Sequence, residues 1–144
     1  MDRASVSTLY EQHKNGIFRY ALSILKDPQL AEDVLHDSFV KLLSVKPPRE
    51  PRAWLYRVAR NLCFDLLRKA KREQTQTQLL PETDTQYAFI DLIAALSPQE
   101  REIVTLKIAG GLTHKEIGDI LGISGKAAQK RYERAIASLR EKED

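Results

Sequence analysis

Apolar residues recur at helical spacing along almost all of this chain, and no stretch alternates apolar and polar residues as a half-buried strand does. Leu9, Ile17, Ala21 and Leu25 keep a near-3.6 repeat. Leu30, Val34 and Leu42, with Phe39 beside them, keep a second, and Trp54, Leu55, Val58, Leu62 and Leu66 form a third stripe. Residues at such spacing share one side of a helix, which can then be buried. The expected fold is all-α. A chain of 144 residues has room for one ordinary domain or two very small helical ones.

The breaks between stripes favour two. Asp27-Pro28 is a helix start, with Asp as N-cap and Pro at the first helical position. The run Lys46-Pro47-Pro48-Arg49-Glu50-Pro51 stops a helix, and Pro51 can open the next. Residues 73–86, EQTQTQLLPETDTQ, are polar, contain a proline and lack helical periodicity. They read as a flexible linker between a domain at 1–72 and one at 87–144. In the second part, Ser97-Pro98-Gln99-Glu100 and Thr113-His114-Lys115-Glu116 each spell a capping box. Gly110-Gly111 separates the two helices that these boxes open.

From 112 to 139 the layout is that of a helix-turn-helix. A capped helix over 113–121 is followed by Gly122-Ile123-Ser124 and a second helix. Gly122 supplies a left-handed turn, Ile123 anchors the turn in the core and Ser124 caps the second helix. Ile117, Leu121, Ile123 and Ala128 are expected between the helices. The second helix would expose Lys126, Gln129, Lys130, Arg131 and Arg134, long polar side chains able to reach base edges and phosphates in a major groove. The bland alternative is an αα-hairpin with a solvated face. Residues 87–144 balance nine basic against nine acidic side chains, so the local basic excess on the second helix is what favours DNA.

The N-terminal part carries two neighbouring segments of opposite charge. Asp27, Glu32, Asp33 and Asp37 stand in 27–37 without a Lys or Arg. Residues 49–72 hold eight basic side chains against Glu50 and Asp65, six net positive charges in 24 residues. The acidic run fits either a basic protein partner or a solvated helix start favoured by the macrodipole. The basic run fits either nucleic acid or a solvated face. Trp54 lies on the apolar stripe and reads as a core anchor. Tyr56 lies off it and reads as a surface aromatic able to stack on an unpaired base.

Taken in order, the segments DPQLAEDVLHDSFVKLL, PRAWLYRVARNLCFDLLRK, LSPQEREIVTLKIAGGLTHKEIGDILGIS and KRYERAIASLRE resemble the two domains of extracytoplasmic-function sigma factors. The resemblance covers nearly the whole chain. It implies that 1–72 corresponds to sigma region 2, docking on the β′ clamp of core RNA polymerase through Asp33, His36, Asp37 and Phe39. The same domain would open the −10 promoter element and capture flipped bases. The loop over 44–52 and the helix after it would serve there, with Arg52, Tyr56, Arg57, Arg60, Asn61 and Arg68 as DNA contacts. It implies that 87–144 corresponds to region 4, reading the −35 element through Ser124, Lys126, Gln129, Lys130, Arg131 and Arg134 and meeting the β flap. An anti-sigma factor is a further implied partner. The sequence departs from the family pattern at His36 (usually Gln), Leu43 (often Trp), Glu50 (commonly Asn) and at Ala127, Ala128 and Gln129 (usually Thr, Val and Lys).

Enzymatic chemistry finds little support. His13, His36 and His114 are far apart without ligand spacing, and Cys63 sits on the apolar side of its helix as a small core residue. No catalytic residue, metal or cofactor is expected. A single cysteine and a charged N-terminus without an apolar run fit a cytoplasmic protein, monomeric when free and without membrane insertion. The competing readings are a helix-turn-helix regulator acting on duplex DNA without polymerase, and a protein-interaction module that has lost DNA binding. The regulator has no use for an acidic docking helix followed by a base-capturing basic one.

Overall fold

The computed structural model describes residues 2–73 and 92–143. The expected linker, apart from Glu73, and the expected return of helix near Tyr87 lie outside the described residues. The described residues contain helices and no strand. The chain divides into two compact units, Met1–Leu80 and Pro81–Asp144.

The first unit is a bundle of α1 (Arg3–Leu25), α2 (Pro28–Ser44) and α3 (Pro51–Glu73), each packed on the other two. The Asp2 carboxylate accepts from the Ser5 N–H at 2.7 Å and caps α1. That bond from the backbone holds the Asp2 carboxyl below its ordinary value. Lys26 ends α1 in the left-handed conformation, φ 55°, its N–H donating to the Leu22 carbonyl. Asp27 then accepts from the Gln29 and Leu30 N–H groups at 3.0 and 3.3 Å, with Pro28 opening α2 as expected. The core joins Ile17, Tyr20 and Leu22 of α1, Val34 and Leu42 of α2, and Leu55, Tyr56, Ala59 and Cys63 of α3. The rings of Tyr20 and Tyr56 meet at 5.7 Å. Buried Ser23 and Ser38 donate to the carbonyls of Tyr20 and Val34 in their own helices, so neither hydroxyl is left unsatisfied.

The second unit holds α4 (Pro98–Ile108), α5 (His114–Leu121) and α6 (Gly125–Glu143), with α6 packed on both α4 and α5. Both capping boxes form, at Ser97/Glu100 and Thr113/Glu116. Gly122 adopts φ 75° and closes α5, and Ser124 Oγ accepts from the Ala127 N–H at 3.1 Å to cap α6. Ile117 and Ala128 are wholly buried, whereas Leu121 and Ile123 are only half-buried. Gly118 is where the turn closes tightest: a Cβ there would lie 2.5 Å from the Ile123 carbonyl oxygen. Glu100 ties the start of α4 to α6. One carboxylate oxygen accepts from the Ser97 N–H, and the other accepts from Ser138 Oγ at 3.0 Å.

Candidate nucleic-acid interface

Three surfaces carry the residues singled out in sequence. On α2, Asp33, His36 and Asp37 are exposed along one side of the helix. Phe39 departs from expectation: it is 6% exposed and packs edge-on to Tyr10, ring centres 5.1 Å apart. Its ring belongs to the core and is not part of the exposed side of α2. Exposed apolar surface is offered instead by Val40 and Leu43, 62% and 46% exposed, neither of which the sequence marks as a site residue. A groove of about 360 Å³ runs between α2 and α3. Val34, Leu62 and Leu66 line it with Asp33, Asp37 and Asp65, opposed by Lys69.

The second surface is the solvent side of α3. Arg57, Asn61 and Arg68 are exposed there and Arg60 is half-buried, whereas Arg52, also half-buried, falls on the stripe of Tyr56, Ala59 and Cys63 rather than on this side. Arg68 is ion-paired with Asp65, one turn away. The roles of the two aromatics at the start of the helix are the reverse of those expected. Tyr56 is 1% exposed, so its ring is a core group and offers no face at the surface, and burial pushes its phenol well above the ordinary value. Trp54 is half-exposed and lines a cavity of about 310 Å³ with Pro48, Arg49, Glu50, Ala53 and Arg57. The cause is the number of neighbours. A helix with one neighbour buries one narrow stripe, and Leu55, Val58, Leu62 and Leu66 would be that stripe. Because α3 packs on α1 as well as α2, burial extends round to Tyr56, Ala59 and Cys63, and Trp54 falls at the wet edge.

The third surface is α6. Ser124, Lys126, Gln129, Lys130, Arg131 and Arg134 are all exposed. Gln129 Nε2 donates to Glu133 at 3.1 Å, one turn on. Arg131 and Arg134 line a hollow of about 330 Å³ with Gln99 and Glu100 of α4. The aromatic of this helix, Tyr132, turns away from that side and meets the His114 ring at 5.8 Å. Among the described residues, no three His, Cys, Asp or Glu side chains are grouped to hold a metal, and no helix is long and apolar enough to cross a membrane.

Two bundles with these surfaces have known counterparts. Residues 9–73 match the family model for Sigma-70 region 2, and residues 86–139 that for Sigma-70 region 4. Together the matches span more than half the chain. The sequence is 30% identical to the RNA polymerase sigma factor CarQ of Myxococcus xanthus, over 92% of this chain and 86% of the relative. It is 27% identical to the ECF RNA polymerase sigma factor SigM of Bacillus subtilis (strain 168), over 83% of each. The chain is an extracytoplasmic-function sigma factor. Among solved structures, CnrH in complex with the cytosolic domain of CnrY is similar to this sigma factor at TM-score 0.73 and 26% identity, covering 97% of this chain and 88% of that one. Membership makes it a polymerase-binding factor that directs promoter-specific initiation, and the regulator acting without polymerase is not favoured.

Proposed function

We propose that the two units of this sigma factor divide initiation between them, residues 1–72 docking on core polymerase and opening the −10 element, residues 87–144 reading the −35 element, and residues 73–86 linking the two. The observation that carries the reading is the pairing of an acidic α2 with a basic α3 inside one small unit. A duplex-binding regulator gains nothing from the acidic helix, which repels DNA. Asp33, His36 and Asp37 face the polymerase β′ clamp, and Val40 and Leu43 supply the apolar contact. Charge then steers the encounter and apolar burial holds it.

The cavity beside Trp54 receives a base flipped out of the −10 duplex. Flipping costs a few kcal/mol of unstacking. Contacts inside the cavity offset that cost together with phosphate neutralisation by Arg52, Arg57, Arg60 and Arg68, and Asn61 offers an amide to base edges. In the second unit, Ser124, Lys126, Gln129, Lys130, Arg131 and Arg134 enter the −35 major groove from the N-terminal turns of α6, while the unit meets the β flap. The factor works in the cytoplasm, without catalysis of its own, and is held inactive by an anti-sigma factor. CnrH, the similar solved protein, is itself in complex with another protein, the cytosolic domain of CnrY.

Mixing the purified chain with core polymerase tests the reading. A holoenzyme should form and start transcription at a subset of promoters on genomic fragments. Failure to co-elute with core, together with no new start sites, overturns it.

A further inference from the structure

Phe64 has no role in the assignments above, and its place on α3 is unexpected for a large apolar ring. Arg57, Asn61, Phe64 and Arg68 follow one another at helical spacing on the side of α3 turned away from the buried Leu55. Phe64 is only half-buried there, on the helix that carries the unit's dense positive charge. The Arg60 guanidinium lies over its ring, 4.7 Å from the centre. A ring flanked by a stacked guanidinium and by exposed cations has the composition of a stacking platform for an unpaired base. The ring supplies the π face, the arginine a second planar surface, and the cations hold the phosphates on either side. Trp54 lies ten positions earlier on the same helix, about 15 Å away along the axis. The two aromatics therefore bracket Arg57 and Asn61.

We infer that Phe64, with Arg60 stacked on it, is a second base-stacking site on α3, engaging an unpaired base of the strand whose flipped base enters the cavity beside Trp54. The inference rests on the −10 reading proposed above. Stacking is indifferent to base identity, so Phe64 contributes affinity for the opened strand and no promoter sequence preference. It favours the open state over the duplex, because a base still paired presents no face to the ring.

The test uses reconstituted holoenzyme and an oligonucleotide carrying the non-template strand of a promoter that the holoenzyme opens. Phe64→Leu keeps an apolar side chain of similar bulk and removes the ring. It should weaken binding of the single strand about tenfold, whereas Phe64→Trp should bind within about twofold of the parent. The salt dependence should stay unchanged in both, since no phosphate contact is lost. An abasic site moved along the strand gives a readout independent of folding. At one position the missing base should cost the parent about tenfold and cost Phe64→Leu nothing. If Phe64→Leu binds as the parent does, or loses equally at every abasic position, Phe64 is not a stacking site. If the parent holoenzyme itself shows no affinity for the opened strand, the −10 reading fails instead.

Discussion

Helices α3 and α6 are both strongly basic, and they differ in what lies between the cations. On α3 the exposed arginines alternate with aromatic rings, Trp54 at the cavity and Phe64 under Arg60. On α6 the exposed residues are Ser, Lys, Gln and Arg, and the one aromatic, Tyr132, points inward to His114. Positive charge alone holds any nucleic acid. Rings beside it favour unpaired bases, whereas amides and guanidinium forks favour base edges in an intact major groove. Two surfaces of like charge in one protein thus suit two forms of the same DNA.

The comparison can be broken most forcefully at Tyr56. Were it the surface aromatic its neighbours suggest, Tyr56→Ala would leave stability alone and cut DNA binding. Because the ring is buried against Tyr20, the substitution should cost the first unit about 3–5 kcal/mol. Calorimetry on the full chain should show the corresponding transition fall while the second unit's holds. The counterpart in the second unit is Gly118→Ala. Its new methyl meets the Ile123 carbonyl, so the helix-turn-helix should lose about 2 kcal/mol, lowering only the other transition. A loss shared equally by both transitions would show that the units do not melt separately.

Alkaline titration separates the units without mutation. Burial raises the Tyr56 phenol above the 10.0 of an exposed tyrosine, with Arg52 and Arg19 opposing weakly. Below pH 10 both folded and unfolded chains keep the proton. Above it only the unfolded chain loses it, so the first unit should lose roughly 1 kcal/mol per pH unit as pH rises past 10. Urea melts of the parent and Tyr56→Phe across that range check this, and the Phe variant should show a shallower slope.

The smallest effects in free energy are the most diagnostic of what each basic helix holds. Arg131→Ala should lower the salt slope of duplex −35 binding by about 0.9 and leave single-strand binding unchanged. Arg57→Ala should lower the single-strand slope by about 0.7 and leave −35 binding unchanged. Equal losses on both DNA forms from either variant would erase the distinction between the helices.

Much of this was legible in the sequence, because helix starts are written locally. Asp27, Ser97, Thr113 and Ser124 each announce a cap within three residues of its partner, and each forms. The exposed face of α6 was legible for the same reason, since that helix carries its basic residues in one run. What spacing could not say is how many neighbours a helix has. The differences at Trp54 and Tyr56 follow from that, as both sit where a second packed helix moves the boundary between core and surface; Phe39 is different, for the apolar repeat already sets it beside Val34 and Leu42, and only the resemblance gave it a docking role. Nothing in the sequence marks Val40 and Leu43 as surface residues, because an exposed apolar residue and a core one look alike in a string of letters. Glu100 was legible as a cap but not as the partner of Ser138, for no spacing rule joins residues 38 positions apart.

That bond between Glu100 and Ser138 bears on how the second unit assembles. Local turns and caps form early and independently, while contacts between distant residues wait until the chain has closed a long loop. Here one carboxylate serves both classes: the cap it makes with Ser97 is local, and the bond to Ser138 arrives last. Fraying of the last turns of α6 would break the bond between Ser138 and the capping residue. Opening at the start of α4 and at the last turns of α6 is therefore coupled, and amide hydrogens near Ser97 and near Ser138 should exchange with a common protection factor although they belong to different helices.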